Sequence, residues 1–158
     1  MLVLSDKRAV CEKYFDSIYR LVLCRVKTKD AADDVVQEVF YKYIKTDREF
    51  ETEEHVKAWL IRVAINQSNS YFTSSWFKKT EPLDENLVFE TEEKSDVYHA
   101  VLSLPQKYRT VIHLFYYEDM PIAKISQALG INESTVKSQL KRGRELLGEK
   151  LKGEYDYV

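Results

Sequence analysis

The sequence predicts an all-α protein built as two small helical domains, and three observations carry that prediction. Glycine and proline are scarce, four and three in 158 residues, so helices can run long with few breaks. Apolar residues make up 44% of the chain, enough to bury a core. The stretch from Glu81 to Asp96, "EPLDENLVFETEEKSD", holds seven acids and one lysine, contains a proline and shows no clear period, as expected of a solvated linker. The expected division is a first domain at 1–79, a flexible acidic linker at 80–94 and a second domain at 95–158.

Three helices are expected before the linker. The first spans about Lys7 to Val26, where Val10, Tyr14, Ile18, Leu21 and Val22 recur at helical spacing. The second starts near Asp30, a residue suited to capping, and runs to about Lys45 with Ala32, Val36, Val39, Phe40 and Tyr43 as its apolar stripe. The third covers about Thr52 to Trp76 and is expected to bury Val56, Leu60, Val63, Ala64 and Tyr71. Four shorter helices follow the linker. One covers about Ser95 to Leu102. The next opens on Pro105, since proline suits a first helical turn, and is expected to bury Tyr108, Val111, Ile112 and Phe115. A third runs from Pro121 to Leu129 and stops at Gly130, and the last runs from beyond Asn132 to about Lys152.

Several function classes lack support in the composition. No apolar run approaches the roughly 20 residues of a membrane span, and the start "MLVLSDKR" turns charged too soon for a signal peptide. Membrane insertion is not expected, and the cytoplasm is the expected location. Cys11 and Cys24 lie in apolar helical runs and are expected to be buried free thiols. His55, His99 and His113 are scattered, so no metal site, cofactor or catalytic set is expected, and the chain is not expected to be an enzyme.

The last two helices have the spacing of a helix-turn-helix. Ile125, Leu129, Ile131, Val136 and Leu140 occupy its apolar positions, Gly130 allows a left-handed turn, and Asn132 can cap the second helix. Glu133, Ser134, Lys137, Ser138, Lys141, Arg142 and Arg144 are then left facing outward, a set of donors and cations suited to the DNA major groove. The net charge of −2 does not oppose this, because screening confines charge effects to about 8–10 Å and local charge governs contact.

Two faces of the first domain carry further chemistry. On the second helix Asp33 and Gln37 are four residues apart, as are Asp34 and Glu38, so they share one exposed edge. That edge fits a docking patch for a basic partner, an incomplete metal site or a plain solvated face. On the third helix Trp59, Arg62, Asn66 and Ser70 recur at three to four residues. The aromatics Tyr71, Phe72, Trp76 and Phe77 follow, interleaved with Lys78 and Lys79. Aromatic stacking beside cations is the chemistry of single-strand binding, and an aromatic core face has the same pattern.

Taken in order, these segments resemble the sigma-70 family of bacterial RNA polymerase sigma factors, in its extracytoplasmic-function (ECF) group. "DAADDVVQEVFYKYIK" is similar to the sigma-2 helix that docks on the polymerase β′ clamp. "VKAWLIRVAINQSNSYF" is similar to the segment that recognises and melts the −10 element. "LSLPQKYRTVIHLFYYEDMPIAKISQALGINESTVKSQLKRGRELL" is similar to sigma-4, which reads the −35 element. The resemblance implies a transcription initiation factor whose partners are polymerase core, through the β′ clamp and β flap, and promoter DNA. Many relatives also have an anti-sigma factor. It implies core binding by Asp33, Asp34, Gln37 and Glu38, and −10 contacts by Trp59, Arg62, Asn66, Ser68, Asn69, Ser70 and Tyr71. It implies −35 contacts by Arg109, Ser134, Thr135, Lys137, Ser138, Lys141, Arg142 and Arg144. Gln139 stands where the family often has arginine, Lys124 where it often has an acid, and Lys78 follows the −10 segment later than is usual. No domain beyond sigma-4 is expected.

Overall fold

A computed structural model describes residues 6–73 and 96–155. The expected linker at 80–94 and the aromatic and cationic run from Trp76 to Lys79 lie outside the described residues. Seven α-helices and one π-helical turn are present among them, with no strand. The helices are α1 (Lys7–Val26), α2 (Lys29–Lys45), α3 (Glu53–Thr73), α4 (Asp96–Leu102), α5 (Gln106–Ile112), α6 (Ile122–Leu129) and α7 (Glu133–Tyr155). The π turn, His113–Tyr117, directly follows α5. The chain divides into two compact units, Met1–Glu81 and Pro82–Val158.

In the first unit α1, α2 and α3 all pack on one another. The stripes of α1 and α2 are buried at every expected position. On α3 the buried face is broader and turned. Val56, Leu60 and Ala64 are inside as expected, Ile61, Ile65 and Ser68 join them, and Val63 and Tyr71 are only half-buried. Each helix of this unit touches both others, and each buries more than the expected stripe, with Leu23 and Cys24 of α1 and Ala31 and Val35 of α2 inside as well.

Local chemistry sets the helix ends. The Asp6 carboxylate accepts from the Ala9 amide at the start of α1. For α2 the capping residue is Thr28, not Asp30. Thr28 has the extended backbone of a cap (φ −122°, ψ 148°) and its hydroxyl accepts from the Ala31 amide, so the helix begins at Lys29. The Thr52 hydroxyl accepts from the His55 amide ahead of α3. At the far end of α2 the Lys7 ammonium donates to the Tyr43, Ile44 and Thr46 carbonyls at 3.1, 3.0 and 2.8 Å. One side chain thus satisfies acceptors that the last turn of a helix leaves open. Cys24 is buried and Cys11 half-buried, both as free thiols.

The second unit departs from expectation beyond α5. The sequence predicts one helix from Pro105 through Phe115. Pro105 instead precedes the first turn, as the N-cap, and the α-helix gives way to the π turn at His113. A π turn inserts a residue into the helical repeat, which rotates the buried face. His113 and Leu114 go inside, while Tyr108 and Phe115 are half-buried. His113 is fully enclosed. Its Nδ1 lies 2.8 Å from the Tyr98 hydroxyl and its Nε2 3.0 Å from Glu118 Oε2, with the Tyr117 ring stacked on it. These partners stand 15 and 5 residues away, which is why no spacing in the sequence gathered them.

The helix-turn-helix forms as read. Gly130 takes φ 70° and its amide donates to the Ser126 carbonyl, closing α6. Ile125, Val136 and Leu140 are buried, with Leu129 and Ile131 half-buried. Gly143 lets α7 lie against α5, for a Cβ there would come within 3.2 Å of Ile112 Cγ1 and 3.4 Å of Tyr108 Cβ. Replacing Gly143 with leucine should overpack this contact and cost about 1–3 kcal/mol. Amide hydrogen exchange in α5 and α7 should accelerate while α1–α3 stay protected, and unchanged exchange in α5 would contradict the contact.

Candidate docking face and nucleic-acid interface

The acidic edge of α2 is exposed at all four expected positions, Asp33, Asp34, Gln37 and Glu38, above Val35, Val36, Val39 and Phe40, which are buried. Alternating exposed and buried pairs follow from helical geometry, so burial of the stripe fixes the acids outward. The four are not equivalent. Asp33 is already engaged, accepting from the Tyr19 hydroxyl at 2.9 Å and from the Lys29 ammonium at 3.0 Å. Those bonds, Lys29 first, hold its carboxyl below the usual range. Burial and the neighbouring Asp33 together push the Tyr19 hydroxyl up to about 12. The edge continues into Tyr41 and Ile44, each 55% exposed, which add apolar surface that the sequence reading missed. The signal was present, since both lie off the stripe on the acidic side.

On α3 the structure separates what the sequence had grouped. Arg62, Asn66, Asn69 and Ser70 are exposed. Trp59 is half-buried and its ring packs against Tyr43 (6.0 Å between centroids) and Phe50 (5.7 Å), so most of it serves the core of the unit. Tyr71 is half-buried beside Phe72. Ser68 is a correction. It is fully buried, accepts from Arg25 Nε at 2.5 Å and donates to the Ile65 carbonyl at 2.9 Å, so its hydroxyl is unavailable to a DNA strand. Arg25 Nη2 donates onward to Asn69 Oδ1 at 2.5 Å, and Lys42 of α2 donates to Gln67 Oε1 at 2.5 Å.

On α7 the N-terminus is closely organised. Asn132 Oδ1 accepts from the Thr135 amide (2.8 Å), the Ser134 hydroxyl (2.9 Å) and the Thr135 hydroxyl (2.8 Å). Each hydroxyl has one hydrogen to give, so the Ser134 and Thr135 oxygens are left as acceptors, on an exposed and a half-buried residue. Ser134, Lys137, Ser138, Lys141 and Arg142 are all exposed. Between α5 and α7 lies a polar cleft of about 370 Å³ lined by Lys107, Tyr108, Ser134, Thr135, Ser138, Gln139 and Arg142. Lys107, whose ammonium sits 5.0 Å from the Tyr108 ring centroid, is the cation that α5 brings to this cleft.

Two expected −35 residues already have partners within the unit. Arg109 is 5% exposed and donates from Nη1 to the Leu104 carbonyl at 2.8 Å, which corrects its expected place on phosphate. A charged residue two positions from Lys107 lies on the other side of the helix, and no composition signal distinguishes the two. Arg144 is exposed, two turns beyond Lys137 on the same side of α7. It donates to the Tyr116 hydroxyl at 3.1 Å and borders an apolar groove of about 380 Å³ lined by Val97, Val101, Ile112, Leu147 and Leu151.

Comparison with known proteins agrees with this arrangement. Residues 10–77 match the family described as Sigma-70 region 2, and residues 94–147 match that described as Sigma-70, region 4. The chain is 30% identical over 136 residues to the RNA polymerase sigma factor SigV of Bacillus subtilis (strain 168), covering 82% of this chain and 81% of SigV. It is 29% identical over 164 residues to the ECF RNA polymerase sigma factor SigW of the same organism, covering 90% and 87%. The fold is similar to that of the sigma factor RpoE from Bartonella quintana, solved in complex with the anti-sigma factor NepR. The TM-score is 0.73 at 21% identity, covering 95% of this chain and 98% of that one. The two sigma-70 regions in this order, with matches spanning most of both chains, place the protein in the sigma-70 family, among its ECF sigma factors, as a promoter-specific transcription initiation factor.

Proposed function

We propose that the chain docks on the polymerase β′ clamp through the α2 edge, engages the non-template strand of the −10 element with α3, and reads the −35 element with α7. The observation that carries this reading is the separation of faces. Acids are exposed on α2, amides and a cation on α3, and donors and cations on α7, each opposite a buried stripe. For docking, Asp34, Gln37 and Glu38 supply the acceptors, and Tyr41 and Ile44 the apolar flank. For the −10 strand, Arg62, Asn66, Asn69, Ser70 and Tyr71 supply amides, a hydroxyl, a cation and one half-exposed ring.

For the −35 element, Lys137, Ser138 and Lys141 face base edges. Arg142 and Lys107 take phosphates at the polar cleft, in place of Arg109. The apolar groove beside Arg144 suits a hydrophobic element such as the β flap. An anti-sigma factor would act by covering these same faces. The protein works by binding, without chemistry of its own, and does so in the cytoplasm where polymerase is.

Three measurements test this reading. The double variant Asp34→Asn, Glu38→Gln should weaken binding to polymerase core by about 1.5–3 kcal/mol for each charged hydrogen bond lost, with the fold intact. Unchanged affinity in a folded variant would remove α2 as the docking face. A fluorescent base analogue in the −10 element should report impaired opening by Asn66→Ala, Tyr71→Ala, since loss of one stacking ring costs about 1–3 kcal/mol. Normal opening would count against α3. On −35 duplexes with core present, Lys137→Ala should lose about 1–3 kcal/mol on the matched sequence and relax base preference. Arg142→Ala should weaken all sequences alike and lower the salt slope by about one. Equal losses by Lys137→Ala on matched and mismatched duplexes would make it a phosphate contact instead.

A further inference from the structure

A buried cation stands directly behind the exposed face of α3. Arg25, in the last turn of α1, is 6% exposed. Its Nε donates to Ser68 Oγ at 2.5 Å and its Nη2 to Asn69 Oδ1 at 2.5 Å. Ser68 is itself held by its bond to the Ile65 carbonyl, so the guanidinium is anchored on a fixed acceptor before it reaches Asn69. Asn69 is the exposed member of the pair.

A guanidinium only donates. The atom of Asn69 that faces Arg25 must therefore be the amide oxygen, and the usual ambiguity between amide oxygen and nitrogen does not arise. The Asn69 amide nitrogen is the other corner of the same planar group, on a residue that is exposed. An unconstrained asparagine reads adenine by giving one hydrogen bond and accepting another, at N7 and N6. The amide oxygen keeps a second lone pair beside Arg25, so the constraint is one of orientation: with the oxygen turned to the buried guanidinium, oxygen and N–H no longer meet one base edge together. An asparagine so oriented offers two N–H donors, which match a base carrying two adjacent acceptors, guanine through O6 and N7 or unpaired cytosine through O2 and N3.

We infer that Arg25 is a positioning residue that fixes Asn69 as a donor-only reader of the −10 strand, selecting guanine or cytosine and discriminating against adenine. This rests on the proposed role of α3. Arg25 never touches the base, and its effect passes through the orientation of one amide. Asn66, three residues earlier on the same exposed face, has no such anchor among the described residues and keeps both pairing options.

The test uses full-length protein with polymerase core and a promoter whose −10 element is randomised, read as the base preference of opened templates. Wild type should show one position where guanine or cytosine is favoured over adenine by about five-fold or more, the lower end of a bidentate contact. Asn69→Ala should flatten that position alone. Asn69→Asp, which keeps an acceptor for Arg25 and removes the outward donors, should abolish the same preference. Arg25→Met should admit adenine there and leave preferences at other positions intact, and Arg25→Lys, which retains the charge but not the fork, should lie between. The double variant Arg25→Met, Asn69→Ala should match Asn69→Ala at that position. If Arg25→Met unfolds the unit, Asn69→Asp still decides, since Asn69 is exposed. A wild-type preference surviving in Arg25→Met or in Asn69→Asp overturns the inference while α3 keeps its role. If Asn69→Ala flattens no position, Asn69 is not a base reader, and the inference falls with that part of the α3 assignment.

Discussion

Burial of one apolar stripe per helix is the constraint on which the rest of this structure depends. A helix that commits Ala32, Val36, Val39, Phe40 and Tyr43 to the interior has no freedom left over where Asp34, Gln37 and Glu38 point. The same holds for α7, where Val136, Leu140 and Gly143 face inward and leave Ser134, Lys137, Ser138 and Lys141 outside. Function is thereby written on the faces that folding does not use. Folding can change little on those faces, because exposed substitutions usually shift stability by less than half a kcal/mol.

This constraint also lets a chain of net charge −2 present an acidic face and a basic face at once. Four acids of the first unit, Asp30, Asp33, Asp34 and Glu38, share α2, and four cations fall between Lys137 and Arg144 on α7. Charges more than about 8–10 Å apart are largely screened at physiological salt, so the local charge of each face matters more than the net value. Modest total charge weakens indiscriminate attraction to nucleic acid.

The stripes, the helix-turn-helix and the acidic edge were legible in the sequence because each depends on spacing within one helix. What was illegible depends on contacts between helices. Ser68 and Arg109 look like donors awaiting DNA until Arg25 from α1 and the Leu104 carbonyl claim them. Burial of charge is uncommon, so composition argued for exposing Arg109 and was overruled by a bond that only folding creates. The π turn hid His113 for the same reason. Its period breaks the 3.6-residue repeat on which sequence reading relies, and its partners Tyr98 and Glu118 come from separate stretches of chain. Asp30 was displaced as a cap by Thr28, a neighbour equally suited by type, because the backbone turned two residues earlier.

The cap at Asn132 has an entropic side. A serine or threonine hydroxyl free to rotate loses that freedom on contact with a base, and the loss is subtracted from affinity. Here the Ser134 and Thr135 hydroxyls are already tethered to one amide oxygen before any DNA arrives. Their ordering is accounted for in the folding of the unit rather than in the encounter. The start of α7 is a rigid edge with two oxygens fixed in direction. A rigid edge of that kind rejects a misplaced donor more sharply than a mobile one, because it cannot turn to accommodate it.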